Sequence, residues 1–161
     1  MAAEYSANAI QDVLPNQAVI FTENKVGCNR GLVFHRDESG IFLLSSAPVR
    51  SYSFICGCGC GCMSMPEALY EVAFHANIQI PTGGTVEAVS LGIALDGEID
   101  PSSIMTFTPA AVAQLGNVGA DIIVAVPAIC RCSRVSVRNI STQTIQVQNA
   151  NIIFDSAGVR R

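Results

Sequence analysis

The sequence predicts an all-β fold, an antiparallel β-sandwich of jelly-roll type, on three observations. Two long stretches alternate strictly between apolar and polar residues, turn signals separate many shorter apolar runs, and helical spacing is scarce. The 161 residues suffice for one domain with its own core. Within residues 69–80, Tyr70, Val72, Phe74, Ala76, Ile78 and Ile80 share one face, and Glu71, His75, Asn77 and Gln79 share the other. Pro81-Thr-Gly-Gly ends that strand. Residues 86–95 alternate again with Val89, Leu91, Ile93 and Leu95 inward, and Asp96-Gly97 supplies a tight turn.

Shorter strands are expected at 18–21, 31–36, 40–44, 104–108, 121–126, 133–139 and 144–154, giving roughly nine in all. Pro109-Ala-Ala-Val-Ala-Gln-Leu predicts one or two helical turns, with Thr108 as N-cap and Pro109 at the first helical position. Residues 1–16 read as an extended arm, 17–155 as a single jelly-roll domain, 45–66 as a long loop inserted in it, and 156–161 as a frayed tail.

Half the residues are apolar, 14% are charged and the mean hydropathy is +0.40. That is more apolar surface than one monomer hides comfortably, so association is expected, with Phe107, Ile123 and Phe154 available to seal threefold contacts. Nine basic residues stand against thirteen acids, and Lys25 is the only lysine. No basic stripe exists to neutralise phosphates or bind an anionic membrane, which argues against nucleic acid and membrane partners. No positive segment leads into an apolar stretch near Met1, and no apolar run reaches the length of a membrane span, so no classical signal peptide is expected.

Seven cysteines fall in three places: Cys28; Cys56, Cys58, Cys60 and Cys62 in a Cys-Gly alternation; and Cys130 with Cys132. An odd number cannot be closed by intrachain disulfides alone. Residues two apart on an extended chain project to one face, so the run presents a row of thiols. Thiolates suit zinc, copper(I) or iron–sulfur chemistry, although Cys-x-Cys is a cramped chelate for a tetrahedral ion. The alternatives are disulfides between subunits and reduced, solvent-facing thiols. Cys130 and Cys132 read either as partners for Cys28 or the run, or as small buried hydrophobes. Disulfides would require an oxidising place of residence.

No catalytic constellation is legible. His35 and His75 are the only histidines, both expected at a strand surface or an interface, and no nucleophile motif or phosphate-binding glycine loop occurs. Asp96, Glu98 and Asp100 cluster in a turn without the calcium-loop pattern and read as a solvated turn. Asn139-Ile-Ser matches a glycosylation sequon of the kind common by chance. The chain is therefore expected not to be an enzyme.

Six segments carry a resemblance spanning nearly the whole chain: Tyr5-Ser-Ala-Asn-Ala-Ile-Gln, Cys28-Asn-Arg-Gly-Leu-Val-Phe-His-Arg, Ile80-Pro-Thr-Gly-Gly-Thr-Val, Ala94-Leu-Asp-Gly-Glu, Thr108-Pro-Ala-Ala-Val and Val147-Gln-Asn-Ala-Asn-Ile-Ile. They resemble small proteins of gut Firmicutes and their phages, similar in pattern to the trimeric jelly rolls of C1q and tumour-necrosis-factor type. The resemblance implies a homotrimeric sandwich that decorates a capsid, tips a fibre or coats a surface, in a virion or extracellular setting, without catalytic residues. It would join a larger capsid or fibre assembly through the N-terminal arm. The Cys56 to Cys62 run is not part of the family pattern. A receptor- or glycan-binding module and a cysteine-loop metal protein are the alternatives. The short supply of aromatic platforms, with no Trp and three Tyr, weighs against the glycan reading.

Overall fold

The computed structural model of the chain describes residues 2–26, 32–35, 39–46, 67–127 and 132–160. Twelve strands form from them: β1 (Ala2–Ala7), β2 (Gln11–Val13), β3 (Glu23–Val26), β4 (Val33–His35), β5 (Phe42–Ser45), β6 (Glu67–Gln79), β7 (Val89–Leu95), β8 (Glu98–Ile99), β9 (Met105–Phe107), β10 (Gly116–Val126), β11 (Cys132–Asn139) and β12 (Ile145–Arg160). They assemble into two antiparallel six-stranded sheets. The first runs β10-β6-β12-β1-β3 with β2 also on β12, and the second runs β4-β5-β11-β7-β8 with β9 also on β7. The first sheet is held mainly by neighbours remote in sequence, and in the second β11 joins β5 to β7 in the same way, as a jelly roll requires.

The alternation read in the sequence does what it predicts. Val72, Phe74, Ile78 and Ile80 of the β6 segment and Val89, Leu91 and Ile93 of β7 are buried between the sheets. Phe21, Phe42, Phe74 and Phe154 are fully buried there. Phe42 lies at the centre of an aromatic cluster, with ring centroids 4.8 Å from Phe154, 4.9 Å from Tyr5 and 5.2 Å from Phe21. Tilted and edge-on pairs of this kind add to the gain from area burial.

A bulge sets the face of β12. Ile145 and Val147 point inward, then Asn149 adopts φ 51° and the register against β6 shifts between Gln148 and Asn151. The extra residue inverts the parity, so Ala150, Ile152 and Phe154 are the inward side chains beyond it. At one edge Gly116 faces the Phe107 ring so closely that a Cβ there would lie 2.3 Å from it. Only glycine lets that ring close the sandwich.

Asn139 ties three segments together from a fully buried position. Its amide donates to the carbonyls of Val13 at 2.8 Å and Gln143 at 2.9 Å, and its side-chain oxygen accepts from the Ser141 N–H at 2.8 Å. The sequon asparagine is thus a joint inside the fold.

Several expectations change. Residues 2–7 are not a free arm but β1, paired with β12 on one side and β3 on the other, with Ala3, Tyr5 and Ala7 buried. The tail is likewise strand, since Gly158, Val159 and Arg160 pair with Leu69, Ala68 and Glu67. The helix expected after Thr108 is absent: Ala113 takes φ 58° and the Gln114 side chain accepts from the Ala110 N–H. The one helical turn among the described residues is a 3-10 turn, Pro101–Ser103, capped by Asp100. Residues 18–21 make a single bridge, Ala18 to Arg138, because the Gln11 side chain occupies both backbone groups of Ile20. Phe154 and Phe107 do not face outward as subunit contacts; Phe154 is fully buried and Phe107 packs against the core, leaving Ile123, 58% exposed, as the outward member of that set.

Candidate functional site

The outer face of the first sheet is built by the non-core residues of β10, β6, β12 and β1, and the registers place them in rows. Asn117, Asn77 and Gln148 form one row; Gly119, His75, Asn151 and Ser6 the next; Asp121, Ala73, Ile153 and Glu4 a third; and Ile123, Glu71, Asp155 and Ala2 a fourth. Amides are linked across the strands: Asn117 donates to Asn77 at 3.0 Å, Gln79 to Gln146 at 2.7 Å, Gln146 to Asp12 at 3.0 Å and Asn151 to Glu4 at 2.7 Å. Gly119 leaves room for the His75 ring, whose Nδ1 would lie 2.5 Å from a Cβ at that position. Neutral amides and short side chains line two of the rows, the carboxylates of Asp121, Glu4, Glu71 and Asp155 lie in the other two, and β1, β6 and β10 carry no Lys or Arg.

Sequence reasoning identified the β6 share of this face, with His75, Asn77 and Gln79, and missed Asn117, Gln146 and Asn151. The alternation of amides with Val and Ile in 145–151 is the signal that would have found the β12 share, were it not reversed by the bulge.

At the edge of this face Glu23 pairs with Lys25. The hydrogen bond and then the charge of Lys25, helped by Asn8 and Ser6, hold the Glu23 carboxyl below the ordinary carboxylate range. Other polar residues are engaged in structure. Asp96 accepts from the Arg134 N–H, and Asp100 from both the N–H and the hydroxyl of Ser102. His35 stacks on Phe42 at 4.5 Å, and its Nε2 donates to the Ser39 carbonyl. Among the described residues no group of three or more His, Cys, Asp or Glu is placed to hold a metal ion, and no helix is long and apolar enough to cross a membrane.

Of the cysteines, Cys28, Cys56, Cys58, Cys60, Cys62 and Cys130 lie outside the described residues. Cys132 opens β11, half-buried and opposite Ser45 of β5. Tyr70, reaching from the first sheet, donates its hydroxyl to the Ser45 carbonyl at 2.6 Å and ties the two sheets together there.

No protein family model matches the sequence, and no curated protein matches it. Solved structures do. The globular domain of zebrafish complement 1qA matches with a TM-score of 0.62 at 10% identity, over 99% of this chain and 98% of that one. The Eiger TNF of S. frugiperda matches with a TM-score of 0.65 at 8% identity, over 100% and 94%. Murine APRIL matches with a TM-score of 0.50 at 7% identity, over 95% and 98%. At such identities the likeness speaks for architecture alone: the chain is an all-β antiparallel sandwich with the jelly-roll fold of the C1q and TNF domains.

Proposed function

We propose that this chain is a non-catalytic structural or attachment module that assembles as a homotrimer through the outer face of its first sheet. The observation that supports the reading is the composition of that face. The Asn and Gln of the first two rows each carry donors and acceptors, so identical copies complement one another there around a symmetry axis, with the carboxylates of Glu4, Glu71, Asp121 and Asp155 lying in the other two rows. Ala73, Gly119 and the other short side chains lose little rotamer freedom when covered. Ile153, half-buried beside Ala73, and Ile123 supply apolar contact.

Placement on a capsid or fibre, outside the cell, extends this reading through the resemblance seen in the sequence. A free N-terminal arm is not the means of attachment, because β1 is paired on both sides. For a glycan-binding module the described aromatics offer little: Tyr5 and Tyr70 are buried, and Phe34 is the exposed aromatic ring.

Light scattering coupled to size exclusion tests the assembly. The expected result is three times the 17.0 kDa chain mass. Ala73→Arg, which puts a long cation in the middle of the face, is expected to give a monomer with an unchanged β-type circular dichroism spectrum. A wild-type monomer, or an Ala73→Arg trimer, refutes the proposed interface.

A further inference from the structure

We infer that β10 is a docking edge that accepts an extended strand from a partner protein, apolar on its inward side and basic on its outward side. β10 lies at the end of the first sheet, paired with β6. The pairing runs without a shift from Gly116 opposite Ile78 to Val126 opposite Ala68. In an antiparallel ladder every second residue turns its N–H and C=O away from the neighbour. Among the described residues no hydrogen bond joins the backbone of β10 to any strand but β6, so a row of these groups stands open along its 11 residues.

The other sheet edges are guarded, and β10 is not. β2, β4 and β9 have three residues each and β8 has two, while β3 has four and carries the Glu23–Lys25 pair. Short length, charge, proline and bulges each discourage a foreign strand. Residues 116–126 contain no Lys, Arg or Pro and one charged side chain, Asp121. Packing is also less complete there: Val118 is 6% and Ile122 7% exposed, against 0% for Val72, Phe74 and Ile78 of β6. An added strand would close that margin.

The two sides of the edge define the partner. Side chains of an added strand alternate between the faces. Those turned inward would extend the core beside Val118, Ile122 and Val124, which calls for apolar residues. Those turned outward would stand beside Asp121, with Glu71 on the next strand opposite Ile123, which calls for a cation. A second copy is the poorer fit. Antiparallel self-pairing about the midpoint of β10 sets the two Asp121 carboxylates opposite or diagonal to one another, between chains of net charge −4. The trimer proposed above is joined by side chains of the sheet's outer face, whereas this edge binds through backbone groups, as in strand addition to other open sheets.

The test uses the full chain and a nine-residue peptide that alternates Thr and Val with Lys at its centre, blocked at both ends and dye-labelled, read by fluorescence anisotropy. Saturable binding of one peptide per chain is expected, with slowed hydrogen exchange at alternate β10 amides. Two further peptides carry N-methyl groups, one on its Val residues and the other on its Thr and Lys residues. A strand at an edge bonds through one alternate set of its N–H groups, so one of these peptides is expected to lose affinity about tenfold or more and the other to bind like the parent. Glu in place of the central Lys should weaken binding about threefold or more, and Asp121→Lys, at an exposed position, should restore binding of the Glu peptide. The absence of saturable binding overturns the proposal, as does equal loss from both methylated peptides or from neither. Indifference to the central charge overturns the basic partner. A particle mass that grows with protein concentration beyond three chains, and falls when peptide is added, gives the edge to a second copy and overturns the proposal as well. Binding is counted per chain, so it stands or falls independently of whether the free particle holds one chain or three.

Discussion

Asn139→Asp exchanges one atom for another of nearly equal size and inverts the chemistry of a buried joint. The asparagine amide donates to two carbonyls, Val13 O at 2.8 Å and Gln143 O at 2.9 Å. In the variant an oxygen faces both, and a negative charge is placed at a fully buried position. Two hydrogen bonds are lost at about 1 kcal/mol each, and leaving buried carbonyls unsatisfied adds about 1–3 kcal/mol, for a total near 3–5 kcal/mol. For a chain of this size each kcal/mol moves the melting temperature by about 2–4 °C, so a fall of about 10 °C is expected at pH 7. Burial and the two carbonyls raise the folded-state pKa of the new carboxyl above its unfolded value of about 3.9. Below that value both states are protonated, and the neutral acid restores one of the two bonds. As pH rises, the unfolded state ionises first, and stability is lost by about 1.4 kcal/mol per pH unit until the folded-state pKa is reached. Calorimetry of variant and wild type at equal protein concentration, from pH 3.5 to 7, should show a difference that widens with pH. A variant melting within about 2 °C of wild type throughout would mean that Asn139 is not the joint described.

Phe154→Ala removes a fully buried ring whose centroid is 4.8 Å from Phe42 and 6.3 Å from Tyr5, and should cost about 3–5 kcal/mol in urea denaturation. A loss below about 1 kcal/mol would place that ring outside the core. Deleting residues 2–7 removes the strand between β12 and β3 and should abolish cooperative thermal unfolding. A soluble, cooperatively melting product would instead restore the reading of that segment as a dispensable arm.

How legible the fold was depended on how strongly each face was marked. The inward set of β6 is legible because Tyr70, Val72, Phe74 and Ile78 recur at every second position or nearly so and Glu71, His75, Asn77 and Gln79 mark the opposite face. β1 was missed because its inward side chains are Ala3, Tyr5 and Ala7, and alanine carries almost no periodic signal. In β12 the run Ile152-Ile153-Phe154 is apolar on both faces, so spacing alone could not say that Ile153 faces out and Phe154 in. The bulge at Asn149 decides it. A three-residue strand such as β2 depends on pairing with a partner remote in sequence, which no local pattern reveals. The same remoteness governs the outer face, whose rows take residues from four separate stretches.

The pairing of β1 with β12 also bears on how the protein is made. The first strand cannot be completed until the last one exists, and at 5–20 residues per second that separation corresponds to a delay on the order of ten seconds. During that interval the flanks of β1 and β6 that β12 will occupy are both without their native partner, although β3 is already available to the other side of β1. Long-range closure of this kind also slows folding after release. Yield during synthesis should therefore depend on keeping the nascent chain unassociated until its final strand emerges, more than on the stability of the finished sandwich.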